Sequence, residues 1–139
     1  MRYMIIVKAS PESEAGTLPP EDRMAEMATY HEELAKAGVL LDANGLRASA
    51  KGWKVQYRGS KRTVVDGPFT EAKEMIAGYT IIQVKSPEEA LEWSRRFPNP
   101  RGNNRDCEIE VRRLFELEDF EQNAAVERFR KMDAGTKGA

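Results

Sequence analysis

Val64-Val65-Asp66-Gly67-Pro68-Phe69-Thr70-Glu71-Ala72-Lys73-Glu74 is the stretch that decides how the chain is read. Two β-branched residues lead into it, and Tyr79-Thr80-Ile81-Ile82-Gln83-Val84 leads out. The pattern is a strand, a sharp break, one turn of helix and then a buried strand. Asp66 favours a turn by hydrogen-bonding nearby amides, Gly67 frees the dihedrals, and Pro68 fixes φ and removes a donor. The proline also pushes Gly67 out of the helical region. A carboxylate at a strand end beside a fixed turn is a common seat for a functional group.

Upstream, Lys54 to Arg58 and Arg62 to Val65 flank Gly59-Ser60, the spacing of a β-hairpin with a short loop. No acidic residue occurs from Gly45 to Val65. The basic run Arg47, Lys51, Lys54, Arg58, Lys61 and Arg62 is interleaved with Trp53 and Tyr57. Basic residues with aromatics can bind single-stranded nucleic acid. Alternate residues of a hairpin face opposite sides, however, so a solvated face is the better account. Whole-chain charge agrees: 22 Lys and Arg against 23 Asp and Glu leave a net charge of -1. A polyanion binder normally shows a basic excess.

Toward the N-terminus, Tyr3 to Val7 is apolar on consecutive positions and predicts a strand covered on both faces. Ala9 to Leu18 carries Ser, Pro and Gly and predicts a loop. Pro19-Pro20-Glu21-Asp22 starts a helix whose Met24, Met27, His31 and Leu34 form one stripe, and Gly38 ends it. Val39 to Leu41 is a second strand, closed by the turn signal Asn44-Gly45.

Downstream, Ser86-Pro87-Glu88-Glu89 predicts a capping box, Ala90, Trp93 or Ser94, and Phe97 an inner stripe, and Pro98-Asn99-Pro100 a stop. Ile109 and Val111 alternate with charges in a half-exposed last strand. Residues 116–132 predict an amphipathic tail helix that needs a surface to dock on, with Asp133 to Ala139 frayed. The expected division is a domain over 1–115 and a tail over 116–139. The order strand, helix, strand, hairpin, strand, helix, strand fits an α+β fold: a ferredoxin-like split β-α-β with an inserted β-hairpin. Its helices cover one sheet face, and a second subunit over the other would form a homodimer.

Length and composition bound the function. At 139 residues the chain is one domain by size. The single Cys107 permits no internal disulfide and points to a reducing, cytoplasmic setting. The apolar run before Lys8 is too short for a membrane span. One histidine and one distant cysteine do not build a nitrogen–sulfur metal cage, and no phosphate loop or nucleophile elbow occurs. No metal and no cofactor are therefore expected.

Asp66-Gly67-Pro68-Phe69 with Thr70-Glu71-Ala72-Lys73-Glu74 resembles the signature of the DGPF-domain proteins, a branch of the YCII-related superfamily. The likeness extends over roughly residues 1–115. It includes the start Met1-Arg2-Tyr3-Met4-Ile5-Ile6-Val7, the helix end Ala37-Gly38-Val39-Leu40-Leu41, Gly78-Tyr79 and the close Glu108-Ile109-Glu110-Val111-Arg112. The resemblance implies a dimeric α+β barrel. It also implies a helix histidine paired with an aspartate, and His31 matches the histidine.

Asp66 matches the motif's own aspartate, and Asp42, just after the second strand, is its rival. Either could orient the imidazole and raise its basicity. Around the same turn, Phe69 is a candidate pocket wall, and Glu71 and Lys73 are candidate ligand contacts. The function expected is binding of a small organic molecule between helix one and the sheet, with His/Asp acid–base chemistry of an isomerase or lyase kind. The alternative is a non-catalytic ligand-binding or regulatory accessory protein. The resemblance links that alternative to extracytoplasmic-function sigma factors.

Overall fold

The computed structural model describes residues 1–71 and 74–137. Among these described residues, six strands and four helices follow in the order β1 (Arg2–Lys8), α1 (Pro11–Glu14), α2 (Glu21–Lys36), β2 (Leu40–Gly45), β3 (Trp53–Arg58), β4 (Lys61–Asp66), β5 (Ile76–Gln83), α3 (Pro87–Arg95), β6 (Ile109–Arg113) and α4 (Ala124–Lys137). Short 3₁₀ turns lie at Ser49–Lys51 and Leu117–Asp119. Four strands make one antiparallel sheet in the order β2-β5-β1-β6. Because β5 lies between β1 and β2, β1-α2-β2 is the split β-α-β of a ferredoxin-like fold. One chain supplies this open sheet rather than a closed barrel, and β3-β4 stands apart as an inserted hairpin.

Register assigns the faces. Ile5 is opposite Thr80 and Val111, and Tyr3 is opposite Ile82, so these side chains share one face. That face carries the core, where Ile5, Ile82 and Val84 meet Tyr30 and Leu34 of α2 and Ala90 and Trp93 of α3. Full burial of a side chain such as Leu34 is worth about 1.5–3 kcal/mol. The other face holds Met4, Ile6, Tyr79 and Ile81, all half-buried.

Several local features differ from the sequence expectation, each for a visible reason. Residues 9–18 are not all loop. Ser10 caps α1 by accepting the Ser13 N–H at 3.1 Å, and Ser13 Oγ accepts the Ser10 N–H at 2.9 Å. Four residues are too few for a periodic signal.

The predicted α2 stripe divides. Leu34 is sealed and Tyr30 joins it, whereas Met24 is exposed and Met27 and His31 are half-buried. Gly38 does end the helix, at φ +74°, with its N–H on Ala35 O and the Val39 N–H on Leu34 O, both at 3.0 Å.

Asn44-Gly45 is no turn: both residues stay in β2, where Gly45 pairs with Gly78. Ser86 caps α3, but the Glu89 carboxylate takes the Lys85 N–H at 2.9 Å instead of closing the box on Ser86.

The tail helix begins at Ala124 rather than 116. Gln122 Nε2 binds the carbonyls of Leu117 and Phe120, and Asn123 Oδ1 accepts the Val126 N–H at 3.0 Å. These side-chain bonds compete with an earlier start, and α4 then runs on to Lys137.

Candidate functional site

Beside the core, the same α2–sheet interface is unfilled. A cavity of about 910 Å³ is lined by Met24, Met27 and His31 of α2 and by Ala43, Gly45 and Gly78 of the sheet. The segment from Ser10 to Pro19, which contains α1, supplies another wall. The floor is open because its residues are small. A Cβ on Gly78 would lie 3.0 Å from the Asn44 carbonyl oxygen, so a larger residue there requires β2 to give by a few tenths of an ångström.

His31 is fixed at both ring nitrogens. Nδ1 lies 2.7 Å from Met27 O. A carbonyl only accepts, so Nδ1 carries the hydrogen. Nε2 lies 2.8 Å from Thr80 Oγ1. In the neutral ring Nε2 is therefore the acceptor, and the Thr80 hydroxyl donates to it. Thr80 is 2% exposed, so that hydroxyl is a buried group with a partner. Tyr30 stands edge-on to the imidazole at 5.4 Å and Phe97 at 6.3 Å, which limits ring rotation. An oriented imidazole lining a cavity is equipped for acid–base work. Next to it, Tyr30 Oη donates to Trp93 O at 2.8 Å, and burial pushes its phenol up to about 12.

The other candidate residues are placed elsewhere. Asp42 pairs with Ile81 and so belongs to the sheet face away from α2. Its carboxylate accepts from Tyr79 Oη at 2.9 Å and from the Ala43 N–H at 3.0 Å. Asp66 is exposed at the end of β4, opposite Trp53, and does not line the cavity. The Met27 carbonyl stands at Nδ1 where a carboxylate was expected. Glu71 faces Lys54 at 3.7 Å, and Lys54 Nζ sits 4.3 Å above the Phe69 ring, with neither Glu71 nor Phe69 on the cavity wall. Lys73 lies outside the described residues.

The turn at Asp66-Gly67-Pro68-Phe69 nevertheless reaches the cavity wall indirectly. A Cβ on Gly67 would come within 1.8 Å of Ser49 O, so only glycine permits this approach. Gly67 N–H binds Gly52 O at 3.0 Å, and Phe69 N–H binds Ser49 Oγ at 2.9 Å. Ser49 in turn donates its N–H and its hydroxyl to the Glu14 carboxylate of α1. The motif is thus tied through Ser49 to the segment that walls the cavity.

The model of the YCII-related domain matches residues 1–117. The chain belongs to the YCII-related family. An uncharacterised protein of Rhizobium meliloti (strain 1021) is 25% identical over 92 residues, covering 66% of this chain and 74% of that protein. Among solved structures, 5-chloro-2-hydroxyhydroquinone dehydrochlorinase from Burkholderia phenoliruptrix AC1100, in complex with 2,5-dihydroxybenzoquinone, aligns with 87% of this chain and all of its own. The identity there is 16% and the TM-score 0.47.

In this YCII-related chain, sequence reasoning overlooked Thr80 and Arg23. Thr80 carried a signal: a hydroxyl within an otherwise apolar strand needs a partner once buried. Arg23 lines the cavity from the first turn of α2, and nothing in its spacing marks it. Glu12, on α1, accepts from Arg101 at 3.0 Å and from Arg105 at 2.7 Å. Its carboxyl is lowered to about 2 by hydrogen bonding, from the backbone first and then from Arg101. Among the described residues no cluster of three or more His, Cys, Asp or Glu could hold a metal ion. No helix among them is long and apolar enough to cross a membrane.

Proposed function

We propose that this chain binds a small organic molecule between α2 and the sheet and moves a proton on it through His31. The observation that carries the reading is the imidazole on the cavity wall, with Nδ1 committed to Met27 O and the Nε2 lone pair answered only by a hydroxyl. Freeing Nε2 leaves the buried Thr80 hydroxyl without its acceptor, a cost of about 1–3 kcal/mol that the ligand's own contacts have to exceed. In the step, a ligand C–H or O–H bond breaks and the electron pair stays on the ligand as an enolate or phenolate. The proton goes to Nε2 and returns at another atom, which is isomerisation, or leaves with a departing group, which is elimination. Orientation of the ring falls to Met27 and Thr80 rather than to Asp66 or Asp42.

The test is deuterium exchange in D2O on a panel of monocyclic phenols and α-keto acids, followed by proton NMR. The full chain should exchange at least one panel member faster than buffer. His31→Gln should lower that rate by about a hundredfold or more while keeping the fold by circular dichroism. No exchange on any member, or wild-type exchange by the variant, would overturn the proposal.

A further inference from the structure

Resting on the reading just given, we infer that the molecule is a small organic acid. Arg23, Arg47 and Lys51 hold its anionic group, and its apolar body lies against Met27, Phe97 and His31. The first argument is the sign of the lining. The chain carries 22 basic and 23 acidic residues, so an arbitrary surface would show both. The cavity lining contains Lys8, Arg23, Arg47, Lys51 and Arg101 and no carboxylate.

Local partners account for two of the five. Lys8 faces Glu110 at 3.6 Å, and Arg101 is held by Glu12. Arg23, Arg47 and Lys51 have no ion pair among the described residues. They come from three separate places: the first turn of α2, the loop after β2 and the 3₁₀ turn. All three line one cavity, Arg47 and Lys51 from its exposed rim, and their summed positive field favours an anion inside it.

Arg23 is also held in place. Its Nε, like that of Arg101, is closed off from water with no hydrogen-bond partner. Gly102 confines the group: a Cβ there would lie 2.7 Å from both Nε and Nη2 of Arg23. A guanidinium held in place keeps a fixed positive charge at the cavity wall, which suits a carboxylate.

The rest of the lining argues for an organic body. Met24, Met27, Leu46, Ala77 and Phe97 present carbon to the space, and about 910 Å³ far exceeds what an inorganic anion fills. Lys54, Arg58, Lys61 and Arg62 of the hairpin do not line the cavity, so the basic run of the sequence serves this site through Arg47 and Lys51 alone.

Matched acids and amides test the inference. The full chain is titrated with benzoate and benzamide, with phenylacetate and phenylacetamide, and with inorganic phosphate. The ring signals of His31, the single histidine, report binding. Each acid should bind at least tenfold more tightly than its amide and more tightly than phosphate, and its affinity should fall with added salt. Arg23→Gln and, separately, Lys51→Gln should weaken the acids tenfold or more and leave the amides unchanged. Amides equal to acids, phosphate equal to the acids, or acid binding indifferent to both substitutions would overturn the inference. Signals that move equally with acid and amide would sink the charge argument but leave small-molecule binding standing. Signals that move with nothing would sink both.

Discussion

Tyr30 and Leu34 of α2 are sealed into a core with Ile5, Ile82 and Trp93, whereas Met24, Met27 and His31 of the same helix border a void over the same sheet. Helix register does not explain the contrast, because one helix makes both. The sheet residues opposite do. Along one face of β5 the side chains are Gly78, Thr80 and Ile82: none, a hydroxyl-bearing one, then a full aliphatic one. Ala43 and Gly45 of β2 keep the glycine end empty, and Tyr3, opposite Ile82, and Val84 fill the isoleucine end. His31 stands over Thr80, where filled interior gives way to space. A cavity is made here by withholding side chains from one end of a normal packing interface.

Removing packing from the filled end should give the largest effect on stability. Leu34 is 0% exposed, so Leu34→Ala should cost about 2–5 kcal/mol in urea unfolding. Benzoate binding by the folded fraction should change little. A loss below about 1 kcal/mol would mean that the two ends are not differently packed.

Tyr30→Phe should cost less, about 1 kcal/mol, because Trp93 O keeps the Arg96 N–H when it loses the phenol. The same residue gives a pH signature. Burial raises the folded-state phenol from 10.0 to about 12. The folded protein then keeps a proton that the unfolded chain releases in that window. The contribution is complete below about pH 10 and is lost as pH rises toward 12. Urea midpoints of wild type should therefore fall more steeply with pH in that range than those of Tyr30→Phe. Parallel slopes would place the phenol in water.

Most of the filled end was legible in the sequence, Tyr30 excepted; a pocket under α2 was expected, but the residues that leave it open were not, for a physical reason. Apolar runs such as Met4 to Val7 and caps such as Ser86 and Gly38 act locally, and local chemistry fixes where strands and helices start and stop. A void is the joint smallness of Ala43, Gly45 and Gly78, which come together only in the sheet. His31 was recognisable as the one titratable group on an inward stripe. The aspartates misled because a strand end says nothing about which face or which sheet carries the carboxylate: Asp42 turned to the far face and Asp66 went with the hairpin. In the motif, Gly67 rather than Asp66 has the demonstrable steric task, at Ser49.

If withheld side chains make the cavity, restoring one should close it at small cost to the fold. Ala43 faces Thr80 across the β2–β5 pairing and lines the space. In Ala43→Leu the added carbon enters a void instead of a packed core, so newly buried apolar area offsets the lost rotamer freedom. Stability should stay within about 1 kcal/mol of wild type. Benzoate should bind at least tenfold more weakly, although no charge has changed. A loss of stability above about 2 kcal/mol with benzoate binding intact would reverse the assignment. It would mean that the space under α2 is already tightly packed in solution, and that the acid sits elsewhere.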